Sequence, residues 1–168
     1  MKACSLAHLN VPTIDIIKEM GNEKKTNEDN YLEYLSFVKA KQIYGDSLPE
    51  EVSDRLKYEL KIIKHRGSSG YFLFLQDIVN TAQSELGVWI GPGRGSAAGC
   101  LICYCLGITK VDPLRYDLLF ERFLNPDGIL FPDIDIDTDN EGRERIISWL
   151  QQKYGKECCA HIATGKDL

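Results

Sequence analysis

The 168-residue sequence lacks the features that would place it in a membrane or a secretory pathway. No apolar run approaches the roughly 20 residues of a membrane-spanning helix, and the start, MKACSLAHLN, has no apolar core of a secretory signal. Repeats and low-complexity segments are also missing. We therefore expect a cytoplasmic protein with no membrane partner, and a hydrophobic content of 43% predicts an ordinary globular domain.

An excess of positive charge is missing as well. The formal net charge of −5 argues against a protein that coats nucleic acid through bulk positive potential. It leaves open an enzyme whose acidic site acts on nucleic acid through metal ions. The six cysteines lack the paired spacings of a zinc site, because only Cys100 and Cys103 have a turn-forming separation. We interpret them as small buried hydrophobic residues.

The pattern of apolar residues divides the chain into three parts. Residues 1–30 carry weak signals and are predicted to form a weakly structured leader. Residues 31–86 contain apolar positions at helical spacing and are predicted to form a helical region. Residues 87–168 contain a short apolar run, a glycine loop and an acidic stretch. The expected fold class is therefore α/β (α+β), with a helical N-terminal part.

The acidic stretch at 133–137 alternates strictly between aspartate and isoleucine. A period of two predicts a β-strand, on which Asp133, Asp135 and Asp137 share one face. Their carboxylates would repel one another unless a cation lay among them, and one or two divalent ions would supply that charge. The alternative is an edge strand with a solvated acidic face, although aspartate is a poor strand former.

The second motif is the glycine loop GPGRGS at 91–96, which follows a short predicted strand at 88–90 and precedes an apolar helix. In that setting backbone N–H groups and a helix N-terminus can bind phosphate. Ser96 could donate its hydroxyl, and Arg94 could supply positive charge. The loop is not a Walker motif, because no lysine follows its last glycine. Two alternatives are a dinucleotide-binding loop, since residues 93–98 read G-x-G-x-x-A, and a tight structural turn.

The two motifs together favour nucleotidyl transfer. A phosphate-binding Gly-Ser turn followed about 40 residues later by strand carboxylates fits a nucleotidyltransferase palm, in which the turn holds a triphosphate and the acids hold metal ions. A dinucleotide-binding fold has no use for three strand carboxylates.

These motifs also carry a family resemblance. GPGRGSAAG, ITKVDPLRYDLLFERFLNP, FPDIDIDTD and the helix ending in QQKYG closely resemble the palm region of the bacterial replicative DNA polymerase III alpha subunits, the C-family polymerases. KYELKIIKHRGSSGYFLFLQDIV resembles the helices that precede that palm. The similarity runs from about residue 31 to 165. It implies a partial polymerase-beta-like palm in residues 87–168 and a piece of a longer polymerase subunit.

The resemblance also implies roles for individual residues. Asp133 and Asp135 match the paired catalytic and metal-binding aspartates of the family, and Asp137 is a supporting metal ligand. Gly95 and Ser96 match the Gly-Ser motif that contacts the phosphates of the incoming nucleotide. The remaining matches are two basic residues expected to face the triphosphate, Arg122 and, less directly, Arg94.

The implied function is template-directed DNA synthesis in chromosome replication, with two Mg²⁺ ions, replaceable by Mn²⁺, as cofactors. The implied partners are deoxynucleoside triphosphates, primer-template DNA and other replicase subunits. We expect the chain alone to be inactive, since a third catalytic aspartate and the DNA-binding elements are expected elsewhere in the subunit. Two alternatives are another nucleotidyltransferase on the same palm and a non-catalytic fragment that binds or dimerises through its apolar third helix.

Overall fold

The computed structural model describes residues 27–125 and 132–159 of the chain. Most of these residues are helical, and the α-helices are, in order, α1 (Asn27–Tyr44), α2 (Glu50–His65), α3 (Ser69–Ser84), α4 (Leu101–Cys105) and α5 (Asn140–Tyr154). Short 3-10 helices lie at Gly95–Gly99, Phe120–Arg122 and Lys156–Cys158. Within the described ranges no helix is both long enough and apolar enough to cross a membrane.

Helix α2 follows its local sequence closely. It begins directly after Pro49, whose fixed φ suits a helix start, and acidic residues fill its first turn. Lys64 and His65 fill the last turn, where positive charge complements the helix dipole. Gly67, at φ 63°, ends the segment. One face of α2 is apolar and buried, and its members are Val52, Leu56, Leu60 and Ile63.

The core forms where the first four helices meet. Helix α1 packs on α2, α3 and α4, and α2 also packs on α4. The largest apolar side chains fully buried there are Phe72, Phe120, Leu32, Leu56, Ile63, Leu73, Ile90, Leu101, Ile102 and Val79. The predicted helical region at 31–86 is therefore helical, and its apolar third helix, α3, is buried against α1 rather than left exposed.

Helix α5 is held against α3 through one carboxylate. The Nζ of Lys153 and the hydroxyl of Tyr154 both donate to Asp77 Oδ2, at 2.6 and 2.9 Å. At its other end, the side chain of Asp139 caps the helix by accepting from Gly142 N at 2.5 Å. This cap fixes the point at which the chain leaves the acidic stretch.

The predicted α/β (α+β) fold class, with a partial polymerase-beta-like nucleotidyltransferase palm, is wrong for the residues that the structure describes. Across 27–125 and 132–159 there is no β-strand and no sheet. Within these ranges, Ile90 and Thr138 form an isolated antiparallel β-bridge, which does not extend into a strand. The described part of the chain is a helical assembly with extended connections.

The acidic stretch shows why the strand prediction failed. The alternation is present in burial, since Ile134 is buried while Asp133 and Asp135 are exposed. A strand, however, needs a ladder of backbone hydrogen bonds to a neighbour. At this stretch Ile134 N instead donates to the Tyr71 hydroxyl, at 3.2 Å. The alternation in the sequence thus matches the alternation between buried and exposed side chains. It does not produce a strand, because no neighbouring segment within the described residues forms a backbone ladder with this stretch.

Candidate functional site

The glycine loop is fixed on one side by the segment that follows α4. Gly93 has φ 95°, a value that side chains rarely allow, and a Cβ there would lie 2.8 Å from Thr109 Cγ2. Lys110 N donates to Pro92 O at 2.8 Å, and Lys110 Nζ donates to Ile90 O at 3.1 Å. The loop is therefore close-packed at Gly93 and is held to the segment after α4 by the two hydrogen bonds of Lys110.

The acidic stretch lies on the other side of the same loop. Gly91 N donates to Asp137 O at 2.9 Å, next to the bridge between Ile90 and Thr138. The two motifs, about 40 residues apart in the chain, are thus adjacent in space.

Arg94 links the loop to two of the predicted metal ligands. Its Nε donates to Asp137 Oδ1 at 3.1 Å, and its Nη2 lies 3.5 Å from Asp135 Oδ1. All three side chains are about half exposed, so solvent screens these pairs, and each contributes roughly 0–1 kcal/mol. The guanidinium supplies positive charge to both carboxylates, and exposed pairs of this kind break at a small cost in free energy.

The donor chemistry of the acidic stretch suits a hard divalent cation, because carboxylate oxygens are the ligands that Mg²⁺ prefers. The arrangement is not a finished metal centre. In the described ranges, no three residues among histidine, cysteine, aspartate and glutamate are gathered closely enough to hold a metal ion. Any site built on Asp133, Asp135 and Asp137 therefore requires side-chain movement, including release of Asp135 and Asp137 by Arg94.

A separate cleft brings together three of the four residues predicted to contact nucleotide phosphates, and the fourth, Arg94, does not line it. Its volume is about 440 Å³, within the usual range of roughly 300–1,000 Å³ for small-molecule sites. One wall is the 3-10 turn Gly95–Gly99 and the other is the segment 118–122. The residues that line it are Gly95, Ser96, Ala98, Gly99, Leu118, Leu119 and Arg122.

Three residues near these motifs were not predicted from the sequence. Tyr71 anchors the acidic stretch through Ile134 N, and burial raises the pKa of its hydroxyl, to which the nearby Asp133 charge contributes. Arg55 and Glu59 lie behind the cleft: Arg55 contacts both of its walls, at Gly99 and Leu118, and Glu59 contacts the start of α4 at Leu101. A signal for Glu59 exists in the sequence: it stands three residues after Leu56 and four before Ile63, on the buried face of α2.

The comparisons with known proteins agree with the motif resemblance. The family model described as the bacterial DNA polymerase III alpha NTPase domain matches residues 30–168. A relative named DNA polymerase III subunit alpha, from Thermus aquaticus, is 50% identical over 115 residues, which are 68% of this chain and 9% of the relative. The subunit of that name from Staphylococcus aureus strain Mu50 is 45% identical over 139 residues, 82% of this chain and 13% of the relative.

The chain thus spans about a tenth of the length of the curated relatives it matches. The matched region contains the helical assembly except the first three residues of α1, together with the glycine loop, the cleft and the acidic stretch. On this evidence, the chain belongs to the bacterial DNA polymerase III alpha NTPase domain family.

Proposed function

We propose that this chain is the nucleotide-binding part of a DNA-directed DNA polymerase subunit that acts in bacterial chromosome replication, and that the cleft between Gly95–Gly99 and 118–122 receives the triphosphate of the incoming deoxynucleotide. The observation that carries the proposal is that Gly95, Ser96 and Arg122 line one cleft. The relatives' printed name, DNA polymerase III subunit alpha, supports the wider activity.

In this proposal each cleft residue has a simple task. The Gly95 amide and the Ser96 hydroxyl donate hydrogen bonds to phosphate oxygens, and no side chain at Gly95 obstructs that approach. Arg122 is exposed at the opposite wall and neutralises triphosphate charge through its planar guanidinium. Arg94, released from the aspartates, would supply a second positive charge at the turn.

We further propose that Asp133 and Asp135 hold divalent cations, with Asp137 in support. A bound Mg²⁺ would stabilise negative charge on the nucleotide and lower the pKa of the attacking 3′-hydroxyl, as in two-metal phosphoryl transfer. Mn²⁺, with similar oxygen ligands, would substitute for it. The chain's own contribution is to present these carboxylates beside the glycine loop, with Ile134 buried beneath them and Asp139 capping α5.

Replacing Arg122 with glutamine should weaken dATP binding by about tenfold, or about 1.4 kcal/mol. The cause would be loss of the charge on the wall opposite Ser96. Isothermal calorimetry of the whole 168-residue chain with Mg²⁺ and dATP measures the effect. The matched control is Arg115→Gln, since Arg115 is exposed in the same part of the chain but lies over the Tyr116 ring rather than in the cleft. Equal affinity in both variants would contradict the assignment of the cleft.

Mn²⁺ binding in the presence of dATP should weaken by about tenfold or more in an Asp133→Asn, Asp135→Asn double variant, because each amide removes a charged oxygen ligand. Electron paramagnetic resonance of free Mn²⁺ gives the dissociation constant. Glu50→Gln, Glu51→Gln is the control, since it removes two exposed acids from the first turn of α2. If both double variants bind Mn²⁺ equally, the acidic stretch is not the metal site.

The proposed partners are deoxynucleoside triphosphates, primer-template DNA and the other subunits of a replicase, in the cytoplasm, where a bacterial chromosome is copied. We expect no primer extension from these 168 residues alone, because the matched region is only 9–13% of the relatives' length. Nucleotide and metal binding are therefore the appropriate tests for this chain.

A further inference from the structure

We propose that Arg55 and Glu59 are positioning residues for the nucleotide, which hold the two walls of the cleft at a fixed separation from behind. The inference rests on the proposed nucleotide-binding function of that cleft. Neither residue lines the cleft. Both lie on α2. Arg55 donates to one backbone carbonyl on each wall, and Glu59 accepts from backbone amides at the start of α4, directly after the glycine turn.

Glu59 fixes the wall formed by the glycine turn. Its side chain is fully buried, and its carboxylate accepts from Leu101 N at 2.9 Å and from Ile102 N at 3.0 Å. These amides open α4, immediately after the turn Gly95–Gly99. The Cys100 thiol donates to the same carboxylate, at 3.3 Å. The end of the turn is therefore attached to α2 by three hydrogen bonds.

Arg55 connects that wall to the opposite one. Its Nη2 donates to Gly99 O at 2.8 Å and to Leu118 O at 2.9 Å, and these two residues stand on facing walls of the cleft. Its Nε donates to Glu59 Oε1 at 2.8 Å, which orients the guanidinium. One planar, nearly rigid group thus sets the distance between the two carbonyls. The walls also come close together here, since a Cβ on Gly99 would lie 2.7 Å from Leu119 O.

Because Arg55 is paired with Glu59, we expect it to act on the cleft by setting the separation of the walls and not by attracting phosphate. The guanidinium of Arg55 is paired with a carboxylate, so the pair adds no net charge to the cleft. A lysine at position 55 would keep the positive charge but has no fork with which to reach Glu59 and two carbonyls together. If Arg55 acted by attracting phosphate, Arg55→Lys would preserve nucleotide affinity. If Arg55 acts by spacing the walls, Arg55→Lys would lower nucleotide affinity almost as much as Arg55→Met.

The test compares Arg55→Lys and Arg55→Met with Lys57→Met in the whole chain. Lys57 is exposed on the same helix, where its Nζ donates to Asp54 Oδ1, and it does not line the cleft. Calorimetry with Mg²⁺ and dATP is run well below the unfolding midpoint of each variant. We expect both Arg55 variants to bind dATP about tenfold more weakly or worse, and Lys57→Met to bind as the unchanged chain does.

A second readout separates local positioning from general loss of structure. In ¹H–¹⁵N correlation spectra of Arg55→Lys without nucleotide, amide signals should shift at 95–102 and 118–122 and stay in place in α1 and α5. Shifts throughout α1 and α5 would overturn the inference, because Arg55 would then support the whole fold. Unchanged dATP affinity in Arg55→Lys would also overturn it, with the proposed function intact. No dATP binding by the unchanged chain would instead overturn the proposed function and, with it, this inference.

Discussion

Replacing Glu59 with glutamine is expected to lower the free energy of unfolding by about 3–5 kcal/mol, the usual cost of breaking a buried ion pair on one side. The amide would put an NH₂ group where a carboxylate oxygen now accepts from Leu101 N or Ile102 N. It would also leave Arg55 beside a neutral partner. Urea unfolding followed by circular dichroism at 222 nm measures the loss, which is a large share of the roughly 5–15 kcal/mol that keeps a domain folded.

Glu51→Gln is the matched control for this experiment. Glu51 is exposed in the first turn of the same helix, and its replacement should change the free energy of unfolding by no more than about 0.5 kcal/mol. Burial raises the pKa of Glu59 above its usual value, while the Leu101 and Ile102 amides and Arg55 oppose that rise. A loss in Glu59→Gln no larger than that in Glu51→Gln would mean that the buried carboxylate does not hold α2 to α4.

Replacing Phe120 with alanine should cost about 3–5 kcal/mol of unfolding free energy, because it would leave a cavity the size of a benzene ring in the core. The ring is fully buried and makes edge-on contacts with the rings of Tyr58 and Phe123, at centroid distances of 6.0 Å each. Phe120 also opens the 3-10 turn that carries Arg122. We therefore expect weaker dATP binding in the folded variant as well, measured by calorimetry.

The neighbouring residue supplies the control. The side chain of Leu119 is 59% exposed, so Leu119→Ala should cost less than about 1 kcal/mol. The two replaced side chains are adjacent in the sequence but differ in burial, so the comparison isolates the contribution of burial. Equal losses of stability would show that the Phe120 ring does not anchor this segment to the core. A folded Phe120→Ala chain that binds dATP normally would show that Arg122 is placed by other contacts.

The helices could be predicted because their signals are local. In α2 the proline start, the charged ends and the apolar stripe lie within a few turns of one another, so one stretch of sequence contains the information that it needs. For the same reason the stop at Gly155 after α5 follows from the sequence, and the residue has the expected positive φ of 95°. The charges that hold α5 to α3 depend on Asp77, 76 residues before Lys153, and no local pattern indicates that pair.

The acidic stretch marks the limit of pattern reasoning. Alternation correctly indicated that Ile134 is buried and that Asp133, Asp135 and Asp137 are exposed. It could not indicate a strand, because a strand forms only by hydrogen bonding to a second segment, which the alternation does not identify. The positive charge beside Asp135 and Asp137 could not be predicted from this stretch either, since it is the guanidinium of Arg94, about 40 residues earlier in the chain.

The candidate site also combines features that the sequence predicts with features that depend on packing. The sequence by itself determined the helical region, the sidedness of the acidic stretch and, through its motifs, the family to which the chain belongs. Only the tertiary structure decided that Gly95, Ser96 and Arg122 share one cleft, that Arg94 contacts Asp135 and Asp137, and that Arg55 donates to a carbonyl on each wall of the cleft. The physical reason is that helix starts, stops and apolar faces depend on neighbours along the chain, whereas a cleft and its supports depend on residues that packing brings together.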